Sequence, residues 1–184
     1  MFILASKSPR RIELLKTIIN DFLIIPANID ENSFPIEQVS YQKGQKIALL
    51  YPNDIIISAD TIVTLNNNIY GKPLNKDDAY RILKELSNKT HKVITYYSII
   101  SINNSILINK SITSFVTFND LSDKLINDYI LSNSPLDKAG AYGIQDNDTF
   151  PIIKNYTGSL NNIIGFPIEQ IKQDLISLGL ITNK

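Results

Sequence analysis

The sequence predicts an α/β domain built on a mixed sheet, and three observations carry that expectation. Short apolar runs suited to buried strands alternate with segments of helical periodicity, two long β-rich runs flank an Asn-Asn turn, and 184 residues with 43% hydrophobic content suffice for one sizeable core. Residues 1–184 read as a single domain, without internal repeat, linker or disordered tail.

The elements follow in order. Phe2 to Ala5 suits a buried strand, and Ser8 stands where it can cap a helix that begins with Pro9 and carries Ile12, Leu15 and Ile19 at helical spacing. Phe22 to Ala27 predicts a second strand, which leads into a polar loop holding Asp30 and Glu31. Ile36, Val39, Ile47 and Leu50 fall on one helical face, and Asp54 to Ser58 predicts a buried strand ending at Ala59-Asp60-Thr61. Asn66-Asn67-Asn68 marks a turn, and Gly71-Lys72-Pro73 closes the return segment. Asn75 caps a helix with Asp77 and Asp78 in its first turn and Ala79, Ile82, Leu83 and Leu86 facing inward. His91 to Ile102 and Ser105 to Phe118 predict a hairpin about Asn103-Asn104. Leu121, Leu125 and Tyr129 mark another helix, Asp137 to Gln145 a loop or short strand, and Thr149 to Tyr156 a strand. Pro167 to Leu178 predicts a closing helix stopped by Gly179.

Composition excludes several kinds of partner. The 18 basic and 18 acidic side chains balance, so a nucleic-acid backbone or an anionic membrane meets no general attraction. Without cysteine and with His91 as the one histidine, thiolate and His-rich metal sites are ruled out, and any metal must sit on oxygen ligands, as magnesium or manganese does beside phosphates. Phe2 to Ala5 is too short for a signal-peptide core and no run approaches a membrane span, so a cytoplasmic protein is expected.

Charge placement points to candidate site residues. The helix after Ser8 puts Arg10 and Arg11 in its first turn, where positive charge costs up to about 1 kcal/mol. A phosphate held by free backbone N–H groups, the Ser6 and Ser8 hydroxyls and the two guanidinium groups would reverse that cost; otherwise both arginines bend into water. Lys43 falls on an apolar face, where it either snorkels or projects into a cleft. Asp60 ends an apolar strand, as a ligand residue or as a cap of the turn with Thr61. Asp30 and Glu31 are a solvated loop or oxygen ligands to a metal, and Lys72 is by default a turn lysine. No Gly-x-Gly-x-x-Gly follows the first strand and Gly71-Lys72 lacks the rest of a P-loop; His91, at the start of a predicted strand with nothing nearby to mark it as a base, argues against a Ser/His/Asp triad and is read as structural.

In this order, Leu4-Ala5-Ser6-Lys7-Ser8-Pro9-Arg10-Arg11, Asp30-Glu31, Gln42-Lys43, Ser58-Ala59-Asp60-Thr61-Ile62-Val63, Gly71-Lys72-Pro73, Leu86-Ser87, Thr90-His91, Asp137 through Gln145 and Gly165-Phe166-Pro167 resemble the Maf family of nucleotide pyrophosphatases, also described as septum-formation inhibitors. The resemblance covers nearly the whole chain. It implies a curved mixed sheet with a deep cleft, a divalent cation (Mg2+ or Mn2+), a homodimer, and cleavage of a nucleoside triphosphate to the monophosphate and pyrophosphate, limiting incorporation of non-standard nucleotides. It further implies Asp60 as catalytic acid or metal holder, Glu31 as a second carboxylate for the metal, and Ser6, Arg11, Lys43 and Lys72 as phosphate-binding residues.

Arg10, Thr61 and Gln145 resemble the branch acting on dTTP and UTP, and an amide such as that of Gln145 can both donate to and accept from a pyrimidine edge. The rival readings are a pyrophosphatase for 7-methyl-GTP or another modified nucleotide, and a nucleotide-binding regulator of cell division that does not hydrolyse. Two departures stand out. Gly44 replaces the alanine usual after the lysine, which predicts a looser helix, and Phe166 replaces a leucine, which predicts a packing change only.

Overall fold

The structure, a computed structural model, describes residues 1–182. β1 (Phe2–Leu4) lies parallel to both β2 (Phe22–Ile24) and β3 (Ile55–Leu65), and β4 (Asn68–Tyr70) returns antiparallel on β3. β5 (Thr90–Ser101) and β6 (Ile106–Phe118) are neighbours, and β7 (Ile153–Thr157) runs antiparallel to β6. The sheet is thus mixed and seven-stranded, in the order β2-β1-β3-β5-β6-β7 with β4 on β3. Its helices are α1 (Pro9–Lys16), α2 (Val39–Leu50), α3 (Lys76–Leu86), α4 (Asp123–Leu131), α5 (Leu160–Ile164) and α6 (Ile168–Ser177). The expected α/β class with a mixed sheet flanked by helices is what the chain forms.

The chain groups into two compact units. One comprises Met1–Asp60, Thr95–Ile112 and the chain from Gly165; the other comprises Thr61–Ile94 and Thr113–Ile164. In the first unit, Leu4, Leu15, Ile57, Tyr97, Phe166 and Ile171 belong to one buried cluster, and Ile3, Ile47, Ala48, Ile56 and Ile100 to another. This division follows the period-2 alternation of β3: Ile55, Ile57 and Ala59 join the first cluster, whereas Ile56 joins the α2 residues Ile47 and Ala48. Phe166 is fully buried, in keeping with a packing role. In the second unit, Ala79, Ile82, Leu83 and Leu86 of α3 pack with Ile126, Tyr129 and Ile130 of α4 around Val93, Val116 and Phe118. Asn75 caps α3 by accepting from the Asp78 N–H at 2.9 Å, as its position predicted.

Four local expectations need correction. β3 does not end at Ala59-Asp60-Thr61 but continues to Leu65, because Val63 to Leu65 find backbone partners in β4. Leu50 is 67% exposed, and the buried stripe of α2 is Val39, Ser40, Lys43, Gly44, Ile47 and Ala48, a run of i, i+3, i+4 steps that a count of apolar residues alone misses. Ser8 occupies the N-cap of α1, yet its side chain makes no capping bond. The segment after α4 is a series of 3₁₀ turns, Ser134–Asp137, Ala139–Ala141 and Ile144–Asp146, and the last strand starts only at Ile153.

Candidate active site

In the first unit, one residue from each of several elements converges by simple periodicity. Ile56, Ser58 and Asp60 share one face of β3; Ser58 Oγ donates to the Ser40 carbonyl of α2 at 2.7 Å. Two residues further, Asp60 therefore faces the same helix, where Lys43 lies one turn beyond Ser40. The Lys43 ammonium sits 2.8 Å from Asp60 Oδ1 and 2.8 Å from Glu31 Oε1. With the residue only 9% exposed, Lys43 does not snorkel into water but holds two carboxylates together. A charge this buried is tolerated because it is paired.

The acidic pair of the 30s loop divides its work. Asp30 caps the 3₁₀ turn Glu31–Ser33, accepting from the Asn32 N–H at 3.2 Å and the Ser33 hydroxyl at 2.6 Å. That turn leaves Glu31 directed at Lys43. Asp30 is thereby a local structural residue, and Glu31 is the one that joins the site.

Arg11 is the second cation. Its Nε donates to the Gly165 carbonyl at 2.9 Å and its Nη1 to the Ala59 carbonyl at 2.7 Å, with Ser6 Oγ at 3.4 Å. The guanidinium therefore does not bend into water; it braces the loop after β1, the backbone beside Asp60 and the turn at Gly165. Burial lowers the Arg11 pKa from its ordinary value, and the charge of Asp60 opposes that shift. Ser6 also accepts from the Ser8 N–H at 3.2 Å, so the loop entering α1 is ordered around its hydroxyl. No acidic residue occupies the first turn of α1, which leaves the helix N-terminus suited to an anion. Arg10, in the same turn, is half-buried.

Whether these residues fit a divalent cation follows from their donors. Glu31 and Asp60 are hard oxygen donors that already converge on one cation, the Lys43 ammonium. Among the described residues no group of three or more Asp, Glu or His side chains is placed to hold a metal. Two carboxylates are hard oxygen donors of the kind magnesium and manganese take, and too few for a closed structural site.

The other three residues singled out in the sequence lie in the second unit. Thr61 follows Asp60 along β3 and is half-buried, Lys72 is exposed in the turn after β4, and Gln145 is exposed in the 3₁₀ turn Ile144–Asp146. The Gly140 N–H donates to the Gly71 carbonyl at 3.1 Å, tying the segment that leads to Gln145 to the turn that carries Lys72. Gly140 takes φ +70°, and a Cβ there would lie 2.8 Å from Val63 Cγ2, so only glycine fits this crossing of β3. His91 is buried, with Nε2 2.8 Å from the Tyr142 hydroxyl and its ring edge-on to Phe118 and Tyr142. It is structural, as expected. The carbonyl acceptors Ala59 and Gly165 leave little trace in the sequence beyond their place beside Asp60 and within Gly165-Phe166-Pro167.

A sequence profile described as "Maf-like protein" matches residues 1–178. The chain belongs to the Maf family. Curated relatives at similar length include a protein of Thermosipho africanus, 42% identical over 97% of this chain and 94% of its own, and one of Fusobacterium nucleatum, 40% identical over 96% and 95%. A third, from Latilactobacillus sakei, is 38% identical over 95% of this chain and 99% of its own. Each of the three is named dTTP/UTP pyrophosphatase. Among the described residues of this Maf chain, no helix is long and apolar enough to cross a membrane.

Proposed function

We propose that this Maf protein is a nucleoside triphosphate pyrophosphatase that hydrolyses dTTP and UTP to the monophosphate and pyrophosphate. The observation that carries the reading is Lys43 bridging Asp60 and Glu31 at 2.8 Å each, with Arg11 fixed to the carbonyl next to Asp60. The names of relatives aligned over nearly their full length support the same substrates. A cytoplasmic location, a homodimer and a role in limiting incorporation of non-standard nucleotides belong to this reading as well.

Phosphoanhydride hydrolysis needs charge stabilisation and positioning more than covalent chemistry. Ser6 and the N-terminus of α1, Arg11, Lys43 and Lys72 are assigned to the phosphate oxygens. A water oxygen forms a bond to phosphorus at the α–β anhydride, the bridging P–O bond breaks, and pyrophosphate carries away the bonding electrons. The water's proton passes to the Asp60 carboxylate. Asp60 and Glu31 are the residues that would hold a magnesium or manganese ion, which when bound supplies further neutralisation of phosphate charge. Arg10, Thr61 and Gln145 are assigned to nucleotide selection, with the Gln145 amide facing the base edge.

The test is release of pyrophosphate from a panel of nucleotides, including dTTP, UTP and 7-methyl-GTP, with and without divalent metal. Turnover of dTTP and UTP is expected, and Asp60→Asn should lower kcat by about 10²–10⁴ with the fold intact by circular dichroism. No turnover of any nucleotide with either metal would refute the reading. Preference for 7-methyl-GTP would keep the chemistry and reassign the substrate.

A further inference from the structure

Gln145 stands on a three-residue 3₁₀ turn, Ile144–Asp146, without a strand or α-helix to fix it. One hydroxyl grips that turn at both ends. Tyr129 Oη, from α4, accepts from the Gly143 N–H at 2.9 Å and donates to Asp146 Oδ2 at 2.6 Å. The same carboxylate oxygen accepts from Ser134 Oγ at 2.7 Å, and the Lys138 ammonium donates to the Ser134 carbonyl at 2.6 Å and its hydroxyl at 2.8 Å while lying 3.9 Å from Asp146. The Asp146 carbonyl accepts the N–H groups of Thr149 and Phe150, which closes the chain beyond the turn. Tyr129 itself is fully buried in α4, an element packed against α3.

We infer that Tyr129 and Asp146 are positioning residues for base selection: their hydrogen bond, with the Gly143 contact to the same hydroxyl, brackets the turn that presents Gln145. The inference rests on the assignment of Gln145 to the base edge. An amide discriminates a thymine or uracil edge, which offers a carbonyl acceptor and an N–H donor, from a cytosine edge, which reverses them, only if it is held in place. A displacement of about 1 Å is enough to lose such recognition. Ile144 packs against the core of the second unit, but Gln145 itself is exposed, and a three-residue turn has no ladder of its own to hold that position. A buried phenol whose donor and acceptor capacities are both used on the flanking residues holds it.

The experiment compares kcat and KM for dTTP and dCTP in the parent enzyme, Tyr129→Phe, Asp146→Ala, Asp146→Asn, Gln145→Ala and the Tyr129→Phe/Gln145→Ala double variant. Tyr129→Phe keeps the buried volume and should cut the dTTP over dCTP preference in kcat/KM about tenfold, through KM, with kcat within about threefold of the parent. Asp146→Asn, which still accepts from Tyr129, should retain more of the preference than Asp146→Ala. In the double variant, Tyr129→Phe should add nothing to Gln145→Ala. If Gln145→Ala erodes the preference and Tyr129→Phe lowers only the melting temperature, the positioning role is overturned and the base assignment stands. If Gln145→Ala leaves the preference intact, the base assignment falls and takes the positioning role with it.

Discussion

In the first unit Glu31, Lys43 and Asp60 come from a capped turn, an α-helix and a β-strand and meet through charge, whereas in the second Gln145 rides on 3₁₀ turns anchored by a phenol and backbone amides. The two arrangements fail differently. Lys43 and Asp60 are both mostly buried, so losing either leaves the other desolvated without its partner. A hydroxyl bracket that loses its oxygen keeps its packing and surrenders position. Damage to the first region should therefore register in turnover, and damage to the second in selectivity.

The largest effect that sharpens this contrast is expected from Lys43→Ala. It removes the cation between two carboxylates, so Asp60 and Glu31 repel each other and, on the proposed reading, the substrate phosphates lose a charge. We expect kcat/KM for dTTP to fall about 10²–10³-fold, with the dTTP over dCTP preference unchanged. Glu31 is 55% exposed on its side chain, so solvent limits the stability loss, which should be smaller than for a fully buried pair. Steady-state kinetics and a thermal melt on the same sample separate the two. A preference that collapses along with turnover would break the comparison.

The difference between the regions also explains what was legible in the sequence. Periodicity placed Lys43 on the buried stripe of α2 and Asp60 on a strand, and the misplaced charge of Arg11 in a helix first turn was visible in the sequence itself. What periodicity could not supply was the strand's continuation past Asp60, because that depends on pairing of Val63 with Tyr70 across a turn of asparagines with positive φ. The same limit hid the Tyr129–Asp146 bond: residues separated by several 3₁₀ turns, with Gly140 at φ +70° and Ala141 at φ 59°, have no period that predicts who meets whom. The Gly-containing segment from Asp137 to Gln145 signalled a loop or short strand, and nothing in it pointed back to α4.

A second way to probe the contrast uses pH, which reaches the second unit through His91. Burial drops the His91 pKa from 6.5 to about 4. The unfolded chain thus binds a proton between those values that the folded chain does not. Stability attributable to His91 is complete above pH 6.5 and declines as pH falls toward 4, by on the order of 3 kcal/mol in all. Urea titrations of parent and His91→Gln across this range should show the parent losing stability more steeply, and parallel curves would refute the assignment. Because the histidine packs with Tyr142, three residues before Gln145, selectivity should decline ahead of turnover as the second unit loosens.

The smallest expected effect belongs to Gly44, and it sharpens the account of how the charged region is spaced. Glycine within α2 predicted a looser helix, and replacing it with alanine should gain up to about 1 kcal/mol by propensity alone. A Cβ at this position, however, would lie 2.7 Å from Ser58 Oγ and 3.0 Å from Ile100 Cδ1. Ser58 would have to turn away from the Ser40 carbonyl, leaving a fully buried hydroxyl unsatisfied at a cost of about 1–3 kcal/mol. The clash outweighs the propensity, so Gly44→Ala should be destabilising by about 1 kcal/mol. Adding Ser58→Ala removes the obstructing oxygen and lets the new methyl fill its place, so the double variant should melt above Gly44→Ala alone. Additive losses would instead mean that α2 approaches β3 closely for reasons other than the match of Gly44 with Ser58.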